Sequence, residues 1–494
     1  MRDLPLEIID RIVHFLPGGQ DERRKGTPED GRPRLAPYAA ISPQFLEAVQ
    51  RRVWRSLYVS TCLLDDCAQH LQGRRPGWLR SLTFRFDLPD VETAKLGWYE
   101  QPAETVAASE EFGLHMRRLF DILSRLEPKG THDVHLHLAD VAHLEAPDDM
   151  SYRGRTRITL PRADELPLLH CVSRLSFAAW RRQPAPNVQL EIAARMPDLT
   201  ALHLVLHQFG LKDSALLRQD RRSLAEALTT YSEQTRDVAH AGFSMILDSR
   251  SFLRHMDPRA YDLLGASLRG WSQRLTSLRV QGVFNASLFW PQASESNDDK
   301  STVKEPEWPG MQSFEVRLER YAPDLQWYFV PPADPAQDPK FQLLLLSRDE
   351  PIEIPGPPYS DDSDEEEVFA ICNIPHEDTM QPLFASWAKA LSRMPSLRTA
   401  RIVFRVEMLN IQARKVSLQD WAVVYEAPGH QNKDAAWYDK LSPQERACRR
   451  LIFHNTRGWR PTQDTLDLLK AVGSSSWPGT EMAVLAVFWD TIVR

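Results

Sequence analysis

Cysteine is scarce in this chain of 494 residues, with five in all, at positions 62, 67, 171, 372 and 448, and no C-x-x-C pair among them. An odd, scattered set supports neither a disulfide framework nor a zinc module, so reduced and mostly buried thiols are expected. Glycine is outnumbered, 21 against 36 prolines, which reverses the usual order and predicts that proline marks the element boundaries. Long apolar runs are missing as well. Met482–Trp489 is among the longest, far short of the ~18 residues of a spanning helix, which excludes a membrane span. The N-terminal Met1-Arg-Asp-Leu-Pro-Leu-Glu7 places charge and proline where a secretion signal needs an apolar core, so an intracellular protein, cytoplasmic or nuclear, is expected. Nor is there a basic excess. With 60 Lys+Arg against 67 Asp+Glu the formal charge is -7, which argues against nucleic acid as a partner, since that needs a basic stripe to displace counterions.

The short signatures of catalysis are absent too. No Gly-x-Ser-x-Gly elbow, His-Glu-x-x-His helix or Gly-x-x-x-x-Gly-Lys-Ser/Thr loop occurs, so no catalytic residue and no cofactor is nominated, and the chain is not expected to be an enzyme. His132-Asp-Val-His-Leu-His137 would put His135 and His137 on one face of a strand, but no second ligand pair follows at a recognisable spacing. Cys62 and Cys67 likewise lack a matching second half, and no metal site is expected.

What is present begins at the N-terminus. In residues 4–16, Leu4, Ile8, Ile9, Ile12, Val13 and Leu16 form one broad helical stripe, with Pro5 in the first turn where its missing N–H costs nothing. The helix should end at Pro17-Gly18-Gly19, and residues 17–34 read as a flexible polar loop. Ser42-Pro43 then supplies an N-cap with proline at the first helical position. The second helix presents Phe45, Leu46, Val49, Val53 and Trp54 with arginines interleaved. Two helices of this size cannot hold a core unaided, so they need each other and a partner.

In order, these residues are Leu4-Pro5-x-x-Ile8-Ile9-x-x-Ile12-x-x-x-Leu16, Ile41-Ser42-x-x-Phe45-x-x-x-Val49 and Val53-Trp54-Arg55-x-Leu57, and the set resembles the F-box. The resemblance covers residues 1–60 and implies docking on the Skp-type adaptor of an SCF-type cullin-RING ubiquitin ligase. It also implies that the rest of the chain captures a protein substrate, whose identity it does not give. On that reading Leu4, Pro5, Ile8, Ile9 and Ile12 contribute the adaptor surface, while Phe45, Val49 and Trp54 pack the hairpin.

Beyond residue 70 the chain repeats a sentence of amphipathic helix, proline-marked turn and short alternating strand. The junction Arg-Met-Pro-x-Leu occurs twice, at 195–199 and 393–397, which is an internal-repeat signal. Weaker copies lie around Leu79–Phe86, Val134–Leu138, Val172–Phe177, Leu275–Val280, Met311–Val316 and Met482–Phe488. Strands of the form Leu-x-x-Leu-x-Val, each behind a helix, look like irregular leucine-rich repeats. The expected fold is therefore α/β, with an N-terminal helical F-box-like module followed over 70–494 by an irregular LRR-like helix–strand solenoid. The stretches from Trp308 and from Trp421 are similar to fungal F-box-type proteins. An interaction scaffold working outside a ligase, with the hairpin as an end cap, is the alternative.

Ser360-Asp-Asp-Ser-Asp-Glu-Glu-Glu367 cannot bury enough apolar surface to fold and is read as part of a disordered acidic insertion over about 351–368. Ser360 and Ser363, among acids, are candidate phosphorylation sites. Trp327, Tyr328, Trp421, Tyr425, Trp459, Trp477 and Trp489 suit either a docking face or a core, and core is the expectation for each.

Overall fold

The computed structural model describes residues 5–15, 35–87, 102–127, 132–140, 157–178, 184–208, 214–247, 263–292, 305–324, 326–330, 373–410, 415–430, 438–488 and 491–493. Leu4, the whole 17–34 loop, and the acidic insertion with Ser360 and Ser363 lie outside these residues. The chain divides into two compact units, one of residues 1–216 and 230–238, the other of residues 217–229 and 239–494.

The first unit opens with helices α1 (Leu6–Phe15), α2 (Ala36–Ala39) and α3 (Pro43–Arg55), and α3 leads directly into strand β1 (Ser56–Ser60). Ser42 caps α3 as its sequence predicts, its hydroxyl accepting the Phe45 N–H at 3.3 Å with Pro43 at the first helical position. Helix α4 (Leu64–His70) precedes β2 (Ser81–Phe86), helix α5 (Pro102–Leu126) precedes β3 (Val134–Asp140), and β4 (Val172–Phe177), α6 (Pro186–Ala193) and β5 (Ala201–Gln208) complete the unit. The strands lie side by side in sequence order, each pair parallel. Alternation sends Leu82, Phe84, Phe86, Leu136, Leu138 and Leu175 into the core. There Phe86 meets Phe112 of α5 with ring centroids 4.8 Å apart.

The second unit takes most of α7 (Ser214–Thr230), then β6 (His240–Leu247), α8 (Leu263–Ser272), β7 (Ser277–Gly282) and β8 (Ser313–Leu318). A small pair, β9 (Phe329–Val330) and β10 (Ile374–Pro375), precedes α9 (Glu377–Ser392). The chain continues through β11 (Thr399–Asn410), β12 (Lys415–Glu426), α10 (Pro443–Ala447), β13 (Arg449–His454), α11 (Gln463–Ala471), β14 (Met482–Phe488) and β15 (Thr491–Val493). Its strands follow the order β6-β7-β8-β11-β12-β13-β14-β15. An interlocked aromatic core forms where α9 packs on the sheet: Trp421 lies 5.7 Å from Phe404, 5.6 Å from Phe329, 6.0 Å from Phe384 and 5.3 Å from Trp459.

The expected solenoid is not what forms. A solenoid requires one unit, with one connection, stacked on copies of itself with all strands in the same direction. Here β11 and β12 pair antiparallel over twelve register positions, β12 and β13 are antiparallel again, and so are β14 and β15. The connections are just as uneven, with the 25-residue α5 between β2 and β3 but only a three-residue 3-10 turn between β3 and β4 among the described residues. The fold is α/β built on a largely parallel, mixed sheet. The repeated junction is nevertheless real at its own scale. In both copies the Met N–H bonds three residues back, to Ala193 and to Leu391, and the Leu N–H bonds the Met carbonyl at 3.1 and 3.2 Å.

Candidate partner-docking site

Helices α1 and α3 pack face to face. Ile9 and Val13 interleave with Phe45, Ala48 and Val49, and Leu35, Tyr38 and Ala39 close the cluster. At about 2 kcal/mol for each large side chain buried, this is a small core that depends on its attachment to the rest of the unit. Polar contacts fix the register. Arg51 donates to Asp10 Oδ2 at 2.7 Å and to Glu47 Oε1 at 3.2 Å, and the Arg52 guanidinium donates to the Val13 carbonyl in the last turn of α1. The Arg51 pairs are about one-third exposed and contribute at most about 1 kcal/mol.

Once Ile9 and Val13 face α3, the 100° turn per residue sends their neighbours to the flank. Ile8 is 41% exposed and Ile12 39%, and Pro5 is exposed in the first turn, its carbonyl accepting the Ile8 N–H at 3.0 Å. Of the residues that the resemblance assigns to the adaptor surface, the structure therefore brings Pro5, Ile8 and Ile12 to the outside and Ile9 to the hairpin core, and Leu4 lies outside the described residues. Phe45 and Val49 pack the hairpin as expected. Trp54 is half-buried, with Arg75 stacked on its ring at 4.8 Å.

Three residues that the sequence placed in the hairpin but not on the adaptor surface are also exposed: Ile41, Leu46 and Val53, by 47%, 42% and 46%. The signal was there, because apolar positions 45, 46, 49, 53 and 54 span a wider arc of α3 than one contact with α1 can cover. Leu46 borders a groove of about 530 Å³, with Glu47 and Gln50 on the same wall and Gln72, Arg74 and Trp78 opposite.

The remaining candidates sit elsewhere. His135 and His137 both contact the Ser176 hydroxyl, at 2.8 and 2.7 Å. Among the described residues no group of three or more His, Cys, Asp or Glu side chains is placed to hold a metal ion. Burial pushes the Cys67 thiol up to about 11, and burial together with Glu127 pushes Cys171 up, so both stay protonated at neutral pH, the state that is neither nucleophile nor ligand. Tyr328, Trp421 and Tyr425 are core residues; Trp327, Trp459 and Trp477 are half-buried; Trp489 lies outside the described residues. No described helix is long and apolar enough to cross a membrane. Compared with known proteins, the chain matches no family model, and no curated protein matches its sequence.

Proposed function

We propose that this chain is the substrate-recognition subunit of an SCF-type cullin-RING ubiquitin ligase. The α1–α3 hairpin binds the Skp-type adaptor, and the α/β body binds a protein substrate. The chain works in the cytoplasm or nucleus, without nucleic acid, membrane or cofactor, and performs no bond chemistry itself. The observation that carries this reading is the division of labour on α1: the hairpin core is complete with Ile9 and Val13, yet Ile8 and Ile12 present a second apolar row to the outside. Single exposed apolar residues are ordinary, but a row on one helix face, in the order of a docking motif, is what a partner's groove would cover.

Co-precipitation of the full chain with the adaptor tests this. The wild type should retain the adaptor, and Ile8→Asp/Ile12→Asp should lose it while its melting temperature stays near that of the wild type. Val13→Asp, in the hairpin core, should lower the melting temperature. The reading fails if the double variant keeps the adaptor, or if the wild type does not bind it under conditions where a known F-box protein does.

A further inference from the structure

Parallel strands ordinarily bury both faces, because the crossover helices cover them. In the second unit β6, β7, β8 and β11 run parallel, with Phe243, Val280, Val316 and Ile402 buried on one face, while on the other only the β11 edge is apolar, where Val403 joins a buried cluster with Ala422 and Val424 of β12. Over β7 and β8 that second face is polar and in register: Arg279, Glu315 and Arg401 lie side by side in one row, and Gln281 and Arg317 in the next, which ends on the buried Val403. Arg279 donates to Glu315 Oε2 at 2.8 Å and Arg317 to Glu315 Oε1 at 2.9 Å, so both oxygens of that carboxylate are taken. Asp420 stands 3.9 Å from Arg317 and 4.0 Å from Arg401, and the Arg401 Nε has no hydrogen-bond partner. The Arg279 side chain is 64% exposed, and Arg405 is exposed as well. Arg320 and Arg405 in turn act on Glu319. Five arginines here meet three carboxylates, on a chain whose overall charge is -7.

We propose that this face binds a carboxylate-rich peptide segment, with Arg279 and Arg401 as its principal charged contacts. The proposal deepens the ligase reading and rests on it only in calling that segment part of the substrate. Two features select the occupant. Guanidinium forks match carboxylates in bidentate geometry, and Gln281 beside them supplies an uncharged donor for a peptide backbone. An excess of two positive charges on an acidic chain is far too small to compete for a nucleic-acid backbone, whose binding draws on many displaced counterions.

The test is titration of a fluorescein-labelled poly-glutamate peptide with the full chain at low salt, with poly-lysine and a single-stranded oligodeoxynucleotide as comparators. Poly-glutamate should bind, and Arg279→Glu and Arg401→Glu should each weaken it by about 10-fold or more. Arg279→Gln, at an exposed side chain that cannot disturb the core, should weaken it in the same direction at an unchanged melting temperature. The inference is overturned if poly-glutamate does not bind, if binding is indifferent to these substitutions, or if the oligonucleotide binds more tightly. Adaptor retention separates the two readings: Arg279→Glu should keep the adaptor, and Ile8→Asp/Ile12→Asp should keep the peptide. Loss of adaptor binding by the wild type sinks only the ligase reading, and loss of peptide binding sinks only this one.

Discussion

Glu426 and Arg450 face each other across the β12–β13 pairing, and both side chains are wholly shielded from water. Arg450 donates to Glu426 Oε2 through two nitrogens, at 3.1 and 2.9 Å, and spends its other donors on the carbonyls of Arg446 at 2.9 Å, Glu445 at 3.3 Å and His430 at 2.7 Å. Arg450→Met removes all of these at once and leaves a buried carboxylate without a counter-charge. Breaking a buried pair in this way costs about 3–5 kcal/mol, and the stranded carbonyls place this case at the upper end. At about 2–4 °C for each kcal/mol in a unit of this size, the loss is roughly 10–20 °C in the transition of the second unit. Glu426→Gln keeps the volume and the carbonyl bonds and should cost about 3 kcal/mol. The double variant Glu426→Gln/Arg450→Met removes both charges together, so it should be no worse than Arg450→Met alone, with a coupling of at least about 2 kcal/mol between the two single variants. Urea unfolding followed by tryptophan fluorescence reads this directly, because Trp421 and Trp459 lie in the same unit. Additive single effects, or an Arg450→Met protein within about 1 kcal/mol of the wild type, would refute the reasoning.

Three further outcomes are expected. Gln189 in α6 extends the β5 ladder with its own amide, donating to the Val205 carbonyl at 2.6 Å and accepting the Val205 N–H at 2.9 Å. Gln189→Leu should cost about 2–4 kcal/mol and raise hydrogen exchange at the Val205 amide, and unchanged protection there would count against it. Gly473 has a φ of +73°, and an added Cβ would come within 2.1 Å of the Tyr425 hydroxyl. Gly473→Ala should therefore destabilise by about 2–4 kcal/mol, with partial rescue by Tyr425→Phe as measured by thermal melting. Burial raises the Glu319 carboxyl above its ordinary value of 4.5, against the opposing pull of Arg320 and Arg405. A carboxyl raised by folding carries a penalty that is full above its folded pKa and is relieved as pH falls through that value and below 4.5. Glu319→Gln should accordingly melt higher than the wild type at neutral pH and lose that advantage in acid; a constant difference across the pH series would contradict the sign.

Local chemistry was legible in the sequence where a few adjacent residues decide it. The Ser42-Pro43 cap needs only the Phe45 N–H three residues on, and strands such as Ser313–Leu318 declare themselves by alternation. The repeated Arg-Met-Pro-x-Leu junction was also readable, because its hydrogen bonds close within five residues. Extending that junction to a solenoid failed for a long-range reason. Between β11 and β12, which pair antiparallel, the sequence reads Ile411-Gln-Ala-Arg414, with no glycine, proline or Asn-Gly to announce a reversal. The candidate site was half legible. Periodicity gives α1 one broad stripe, and only the position of α3 assigns Ile9 inward and Ile8 outward. The arginine rows were beyond reach, because Arg279, Glu315 and Arg401 become neighbours only through strand pairing.

No hinge separates the candidate docking helix from the first sheet. Helix α3 ends at Arg55 and β1 begins at Ser56, and the Arg55 carbonyl already accepts the Arg80 N–H at 2.9 Å, one residue before β2. Arg75 and Arg51 then stack on Trp54 and Trp78 across the same junction. Anything gripped by α1 and α3 thus holds the first unit at a set bearing, as a wrench flat holds a shaft. The bearing of that unit's strands relative to the hairpin is fixed by the backbone itself. Glycine residues inserted after Arg55 would loosen the aim while leaving the grip intact.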